Sequence, residues 1–116
     1  MSYDVSLVDD RGQQLHSDTP HDIIGGTYAV GGTTELWLNI TSNYGPTLRR
    51  VIGGIDEIDG KRAGDTIPLL VLGIGRLGDD THPNYWEETD GNVKAALRGL
   101  LELACKRPDG TWSVRK

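Results

Sequence analysis

Phenylalanine is absent from this chain of 116 residues, and cysteine and methionine occur once each. Without Phe, a core has to be assembled from Leu, Ile and Val, with three Trp and four Tyr as the large anchors. The single Cys105 excludes an intramolecular disulfide. Positive charge is scarce too: 12 Lys and Arg stand against 17 Asp and Glu, a formal net charge of −5. A protein that grips nucleic acid by neutralising phosphates needs a basic face, so direct nucleic-acid binding is not expected. Long apolar runs are missing. The longest, residues 67–74, contains Pro68 and Gly73, and it is far short of the roughly 20 residues of a membrane-spanning helix. Met1-Ser2-Tyr3-Asp4 is not a basic segment leading into an apolar run, so no signal peptide is expected. These absences point to a soluble protein of the reducing cytoplasm, with no membrane partner.

What is present fits one domain. A chain of this length buries roughly two thirds of its unfolded surface, enough for a single core without staples. Tyr3, Val5 and Leu7 alternate with Asp4, Ser6 and Val8, the period of a half-buried strand. Asp9-Asp10-Arg11-Gly12 reads as a turn, and residues 13–16 as the returning strand of a hairpin. Residues 17–22, polar and containing Pro20, read as a loop. Residues 23–30 are apolar and β-rich, and Gly31-Gly32 suits a two-residue hairpin turn. Residues 35–41 form the strongest strand, with Leu36, Leu38 and Ile40 on one face and Trp37, Asn39 and Thr41 on the other.

Helical spacing follows. Gly45-Pro46 opens a first helix carrying Leu48, Val51, Ile52, Ile55 and Ile58, weakened by Gly53-Gly54. A second helix is expected to start at Asp65 or Thr66, with Pro68 in its first turn. Its stripe of Ile67, Leu70, Val71, Ile74 and Leu77, widened by Leu69 and Leu72, predicts a central, largely buried helix. Asp90 is the expected N-cap of a third helix whose core face is Val93, Ala96, Leu97, Leu100 and Ala104. Residues 111–114 read as a short strand rejoining the sheet edge, with Trp112 as its anchor. The expected fold is therefore α+β: an antiparallel sheet from the N-terminal third plus a short C-terminal strand, covered on one face by three helices.

The candidate site is a polar ladder. Trp37, Asn39, Thr41 and Asn43 fall two apart, so an extended segment would project them from one side. They would supply an aromatic platform, two amides and a hydroxyl, which suit uncharged polar groups such as bases or riboses. Tyr44 would add a second flat surface, and Trp86, beside Tyr85 in a polar loop, an exposed contact. The structural alternative is that Asn43 caps the next helix and that Asn39 and Thr41 tie a strand end to a loop. For Trp86 it is a lid over the core.

Other chemistry has less to stand on. His16, His21 and His82 lie in separate loops without HxH or HExxH spacing, so no metal site is expected. Gly73-Ile74-Gly75 falls inside a helix and fails the context for a dinucleotide fingerprint, and no cofactor is expected. Cys105 reads as a small packed thiol. The acidic groups Asp56, Glu57 and Asp59, then Asp79 and Asp80, then Glu87, Glu88 and Asp90 sit among glycines and polar residues, as solvated caps and loop tips do. Paired carboxylates run acid–base chemistry only when burial separates their pKa values.

Several pieces together resemble a group of small phage- and prophage-encoded accessory proteins, mostly of unassigned function. They are Asn39-Ile40-Thr41-Ser42-Asn43, the helix around Leu48, and the run Gly64 to Leu69 leading into an amphipathic helix. The Asp90-Gly91-Asn92 helix start, Leu100-Leu101 and Arg107-Pro108-Asp109 complete the set. The likeness runs from Leu36 to Trp112. Residues 1–34 read as an N-terminal β extension to a family-like core of residues 35–116. Members often carry a longer segment before the last helix, shortened here to Tyr85-Trp86 followed by Asp90-Gly91. The resemblance implies a non-enzymatic binder in the cytoplasm of an infected bacterial host. It would act as a homo-oligomer on a small polar or nucleotide-like ligand, or on a host defence protein. Two alternatives are carried with it: an acidic inhibitor of a nucleic-acid-binding host enzyme, and a small hydrolase using Asp79 or Asp80.

Overall fold

The computed structural model describes residues 2–21 and 33–116. The apolar run 23–30 and the Gly31-Gly32 turn expected from the sequence lie outside the described residues. The fold is α+β. Strand β1 (Ser2–Val8) is the middle strand of a three-stranded antiparallel sheet. On one side it pairs with β4 (Trp37–Thr41), on the other with β5 (Thr111–Arg115). β2 (His16–His21) and β3 (Thr33–Glu35) form a separate two-stranded ribbon. Three helices follow β4: α1 (Gly45–Ile52), α2 (Ala63–Gly75) and α3 (Asp90–Lys106).

Alternation puts Val5 and Leu7 of β1, Leu38 and Ile40 of β4 and Trp112 of β5 on the covered face, all essentially inaccessible. Against them pack Leu48 and Val51 of α1, Leu70 of α2 and Val93, Leu97, Leu100 and Leu103 of α3. Trp112 anchors the last strand, and its indole N–H donates to Thr66 Oγ1 at 2.8 Å within the core. Thr66 in turn donates to the Ala63 carbonyl. A buried indole N–H needs such a partner.

Local expectations fail where a distant partner decides. The hairpin predicted for residues 13–16 is reduced to one bridge, Val8 to Gln14. The Asp9 turn itself forms: its carboxylate accepts from the Arg11 and Gln13 amides, and Gly12 takes φ +77°. Beyond it the chain is claimed by β3, so the polar residues read as a loop, Pro20 included, become β2. Proline is tolerated there because an irregular register in a two-stranded ribbon demands few ladder bonds.

Helix α1 stops at Ile52, where Gly53 adopts the left-handed cap at φ +86°, and Ile55–Ile58 form a separate 3-10 turn. Helix α2 starts earlier than predicted. The Ala63 and Gly64 amides donate to the Gly110 and Pro108 carbonyls, so the C-terminal loop caps the helix in place of a side chain. Its buried residues are Ala63, Thr66, Leu70 and Gly73, with Leu77 buried just beyond its end and Ile67, Leu69 and Ile74 partly buried against the core, a face rotated from the predicted stripe. Val71 and Leu72, expected inside, are about half exposed. Gly73 sets this rotation, because a Cβ there would lie 2.5 Å from Ile52 Cγ2. Helix α3 is capped by Thr89, not Asp90: the Thr89 side chain accepts from the Asn92 amide. Cys105 is exposed on it, which overturns the packed thiol. Among the described residues, no helix is long and apolar enough to cross a membrane.

Candidate functional site

The face of the sheet turned away from the helices is polar, and its residues form rows set by strand register. Asp4 of β1 lies opposite Asn39 of β4 on one side and Arg115 of β5 on the other. Ser6 lies between Trp37 and Ser113. A hollow of about 590 Å³ opens over these rows, lined by Asp4, Ser6, Val8, Gly12, Gln14, Trp37 and Arg115.

The hollow is braced from below. Asn39 Nδ2 donates to Asp4 Oδ1 at 2.6 Å and to Ser2 Oγ at 2.8 Å, fixing one carboxylate oxygen. Trp37 Nε1 donates to Glu35 Oε2 at 3.1 Å, which orients the indole. Gln14 Nε2 reaches the carbonyls of Leu7, Leu15 and Leu36, tying the turn to the sheet at the wall of the hollow. The side chains around the opening thus combine a flat indole, a carboxylate, a guanidinium and a hydroxyl. That set can stack on a ring, accept from its donors and pair with an anion.

The predicted ladder of four breaks after its second rung. Trp37 and Asn39 do share the open face. Thr41 is buried, and its hydroxyl accepts from the Asn43 amide to cap a 3-10 turn over Ser42–Tyr44. The backbone is no longer extended at Asn43, so the side chain turns toward the α2–α3 loop and donates to the Trp86 carbonyl at 2.9 Å. Tyr44, expected as a flat binding surface, is fully buried and gives its hydroxyl proton to the Tyr85 carbonyl. Burial, with a smaller contribution from Tyr85, pushes the Tyr44 phenol up to about 12. Trp86 is exposed as expected, but it belongs with Asn43 and Tyr44, not with Trp37.

Sequence reasoning missed Asp4, Gln14 and Arg115 at the hollow, and Asn92 in the loop. Asn92 is buried at the start of α3. Its Nδ2 donates to the His82, Asn84 and Glu87 carbonyls, and its Oδ1 accepts from the His82 amide. A polar residue one turn before Ala96, in line with the core face, was the available signal. Of the acidic groups, Asp79 is held by Lys94 at 2.6 Å, and that hydrogen bond keeps its carboxyl below the usual range. Asp90 is lowered first by the Gly78 amide and further by Arg50. Glu88 accepts from both the amide and hydroxyl of Thr47. Among the described residues, no group of His, Cys, Asp and Glu could hold a metal ion.

Comparison with protein-family models, with curated proteins and with solved structures finds no match.

Proposed function

We propose that this is a non-enzymatic binding protein of the phage-accessory type, and that its open sheet face takes a small, ring-bearing polar ligand of the nucleotide class. One observation carries the reading. Trp37, Asp4 and Arg115, from three different strands, converge on a single hollow, with Asn39 bracing the carboxylate. The base would lie on Trp37, Asp4 would accept from ring or ribose donors, and Arg115 would pair with phosphate. Among the described residues Asp4 is the carboxylate that lines the hollow, and with Trp37 and Arg115 beside it the lining suits recognition of a ring and an anion. Binding from an open hollow favours modest affinity, and half-exposed Val71 and Leu72 of α2 support self-association as part of the same reading. The cytoplasm of an infected bacterium is the compartment that goes with it.

The test is calorimetric titration with the nucleoside monophosphates AMP, GMP, CMP and UMP, alongside sedimentation of the free protein. Stacking on an aromatic side chain contributes about 1–3 kcal/mol, so Trp37→Ala should weaken binding by roughly 5- to 150-fold. Asp4→Asn and Arg115→Ala should each weaken it, while Trp86→Ala should not. Equal affinity in wild type, Trp37→Ala and Arg115→Ala, or no heat with any of the four, removes the reading.

A further inference from the structure

The loop between α2 and α3 presents Tyr85 and Trp86 to solvent, 44% and 46% exposed, with their rings edge to face and centroids 5.3 Å apart. The loop has little regular structure, yet its backbone is fastened to the body. The carbonyls of His82, Asn84 and Glu87 accept from Asn92, that of Tyr85 from Tyr44, and that of Trp86 from Asn43. These anchors come from α3 and from the 3-10 turn after β4. A loop with its main chain held and its two largest side chains outward has already met the ordering cost that binding normally exacts. Rigid Tyr and Trp are also the side chains that concentrate binding energy at protein interfaces.

Charge around the pair narrows the partner. Between Arg76 and Lys94 the chain has five carboxylates and no Lys or Arg. Lys94 and Arg50 pair with Asp79 and Asp90, and Glu88 is turned to Thr47. Asp80 and Glu87 are exposed and make no ion pair among the described residues. Glu87 adjoins the aromatic pair in sequence, and the net negative charge of the loop that carries it makes the rim acidic. A second copy would bring the same acidic rim to face it, so like charges oppose self-association at this loop.

We propose that Tyr85 and Trp86 are a docking point for a protein partner that presents an apolar recess edged by Lys or Arg. This surface is separate from the hollow on the sheet. The test is to pan a random 16-residue peptide display library against the full chain and to measure the selected peptides by fluorescence polarisation. Selected peptides should combine apolar residues with Lys or Arg. They should lose at least tenfold in affinity to a Tyr85→Ala, Trp86→Ala double variant and weaken as salt rises. A Trp37→Ala variant should bind them normally, which separates this result from the fate of the sheet site. Asp80→Lys with Glu87→Lys leaves both rings in place and should also weaken binding, so the proposal stays testable if the aromatic variant unfolds. No enrichment, acidic or uncharged peptides, or unaltered binding to the charge variant overturns it. So does a dimer that Trp86→Ala dissolves.

Discussion

Replacing Asn92 by Ala removes the hub that fastens the α2–α3 loop. The two Nδ2 hydrogens are shared among three carbonyls, and Oδ1 accepts one amide, so about three hydrogen bonds are lost. At about 1 kcal/mol net each, with water reaching the exposed loop carbonyls in part, the cost should be about 2–3 kcal/mol. The helix cap survives, because the bond from the Asn92 amide to Thr89 Oγ1 uses backbone. Asn92→Asp sharpens the test. It keeps the shape but turns a carboxylate on three carbonyl oxygens, so at neutral pH it should be less stable than Asn92→Ala. Its folded-state pKa is then raised above the unfolded value of about 4. Such a group is destabilising above its folded pKa, and the penalty is relieved as pH falls through it. The gap between the two variants should therefore narrow on acidification, while changes from the native carboxylates cancel between them. Urea unfolding from pH 3 to 7 measures the gap, and hydrogen exchange at the His82 and Thr89 amides reports the loop. An Asn92→Ala cost below about 1 kcal/mol, with unchanged exchange at both amides, refutes the reasoning.

Three further outcomes follow from named contacts. Gly73→Ala should destabilise by about 1–3 kcal/mol, since its Cβ would press on Ile52, while Gly75→Ala, which meets nothing within 4 Å, should be neutral or stabilising by up to about 1 kcal/mol; thermal unfolding of the pair checks this. Thr66→Val should cost about 1–3 kcal/mol in urea unfolding by leaving the buried Trp112 indole N–H unpaired, and Thr66→Ser should recover most of it. Tyr44 ionises late, at about 12, against an unfolded value near 10. Its neutral form therefore contributes stability in full below pH ~10, and this is lost as pH rises toward 12, with Tyr44→Phe flattening that alkaline fall in denaturant titrations.

The parts of this fold legible in the sequence are those whose period is interrupted by polar residues. Val5 and Leu7 against Asp4 and Ser6, and Leu38 and Ile40 against Trp37 and Asn39, announce both the strands and the face they bury. Helix α3 is legible for the same reason. Helix α2 is not, because residues 67–74 are apolar or glycine throughout and nothing local says which side faces in. The answer lies in a contact between Gly73 and Ile52 of another helix. The candidate site divides in the same way. Trp37 and Asn39 were recoverable from alternation, but Asn43 falls past the point where Thr41 caps a turn, so counting by two no longer applies. Asp4 and Arg115 come to the hollow through register between strands from opposite ends of the sequence, which no local pattern encodes.

That arrangement also sets an order of events for the growing chain. The middle strand, β1, emerges from the ribosome before both of its neighbours, and β5 follows only after all three helices. Until residues 111–115 are free, Leu7 has no Trp112 opposite it and one edge of β1 stands open. Closing the sheet joins residues as far apart in sequence as Asp4 and Arg115, a search that favours slow folding over the microsecond speeds of helical bundles. Nascent chains halted before Trp112 should therefore stay protease-sensitive and adhesive, and a stop at Gly110 should forfeit the whole sheet rather than trim one strand from it.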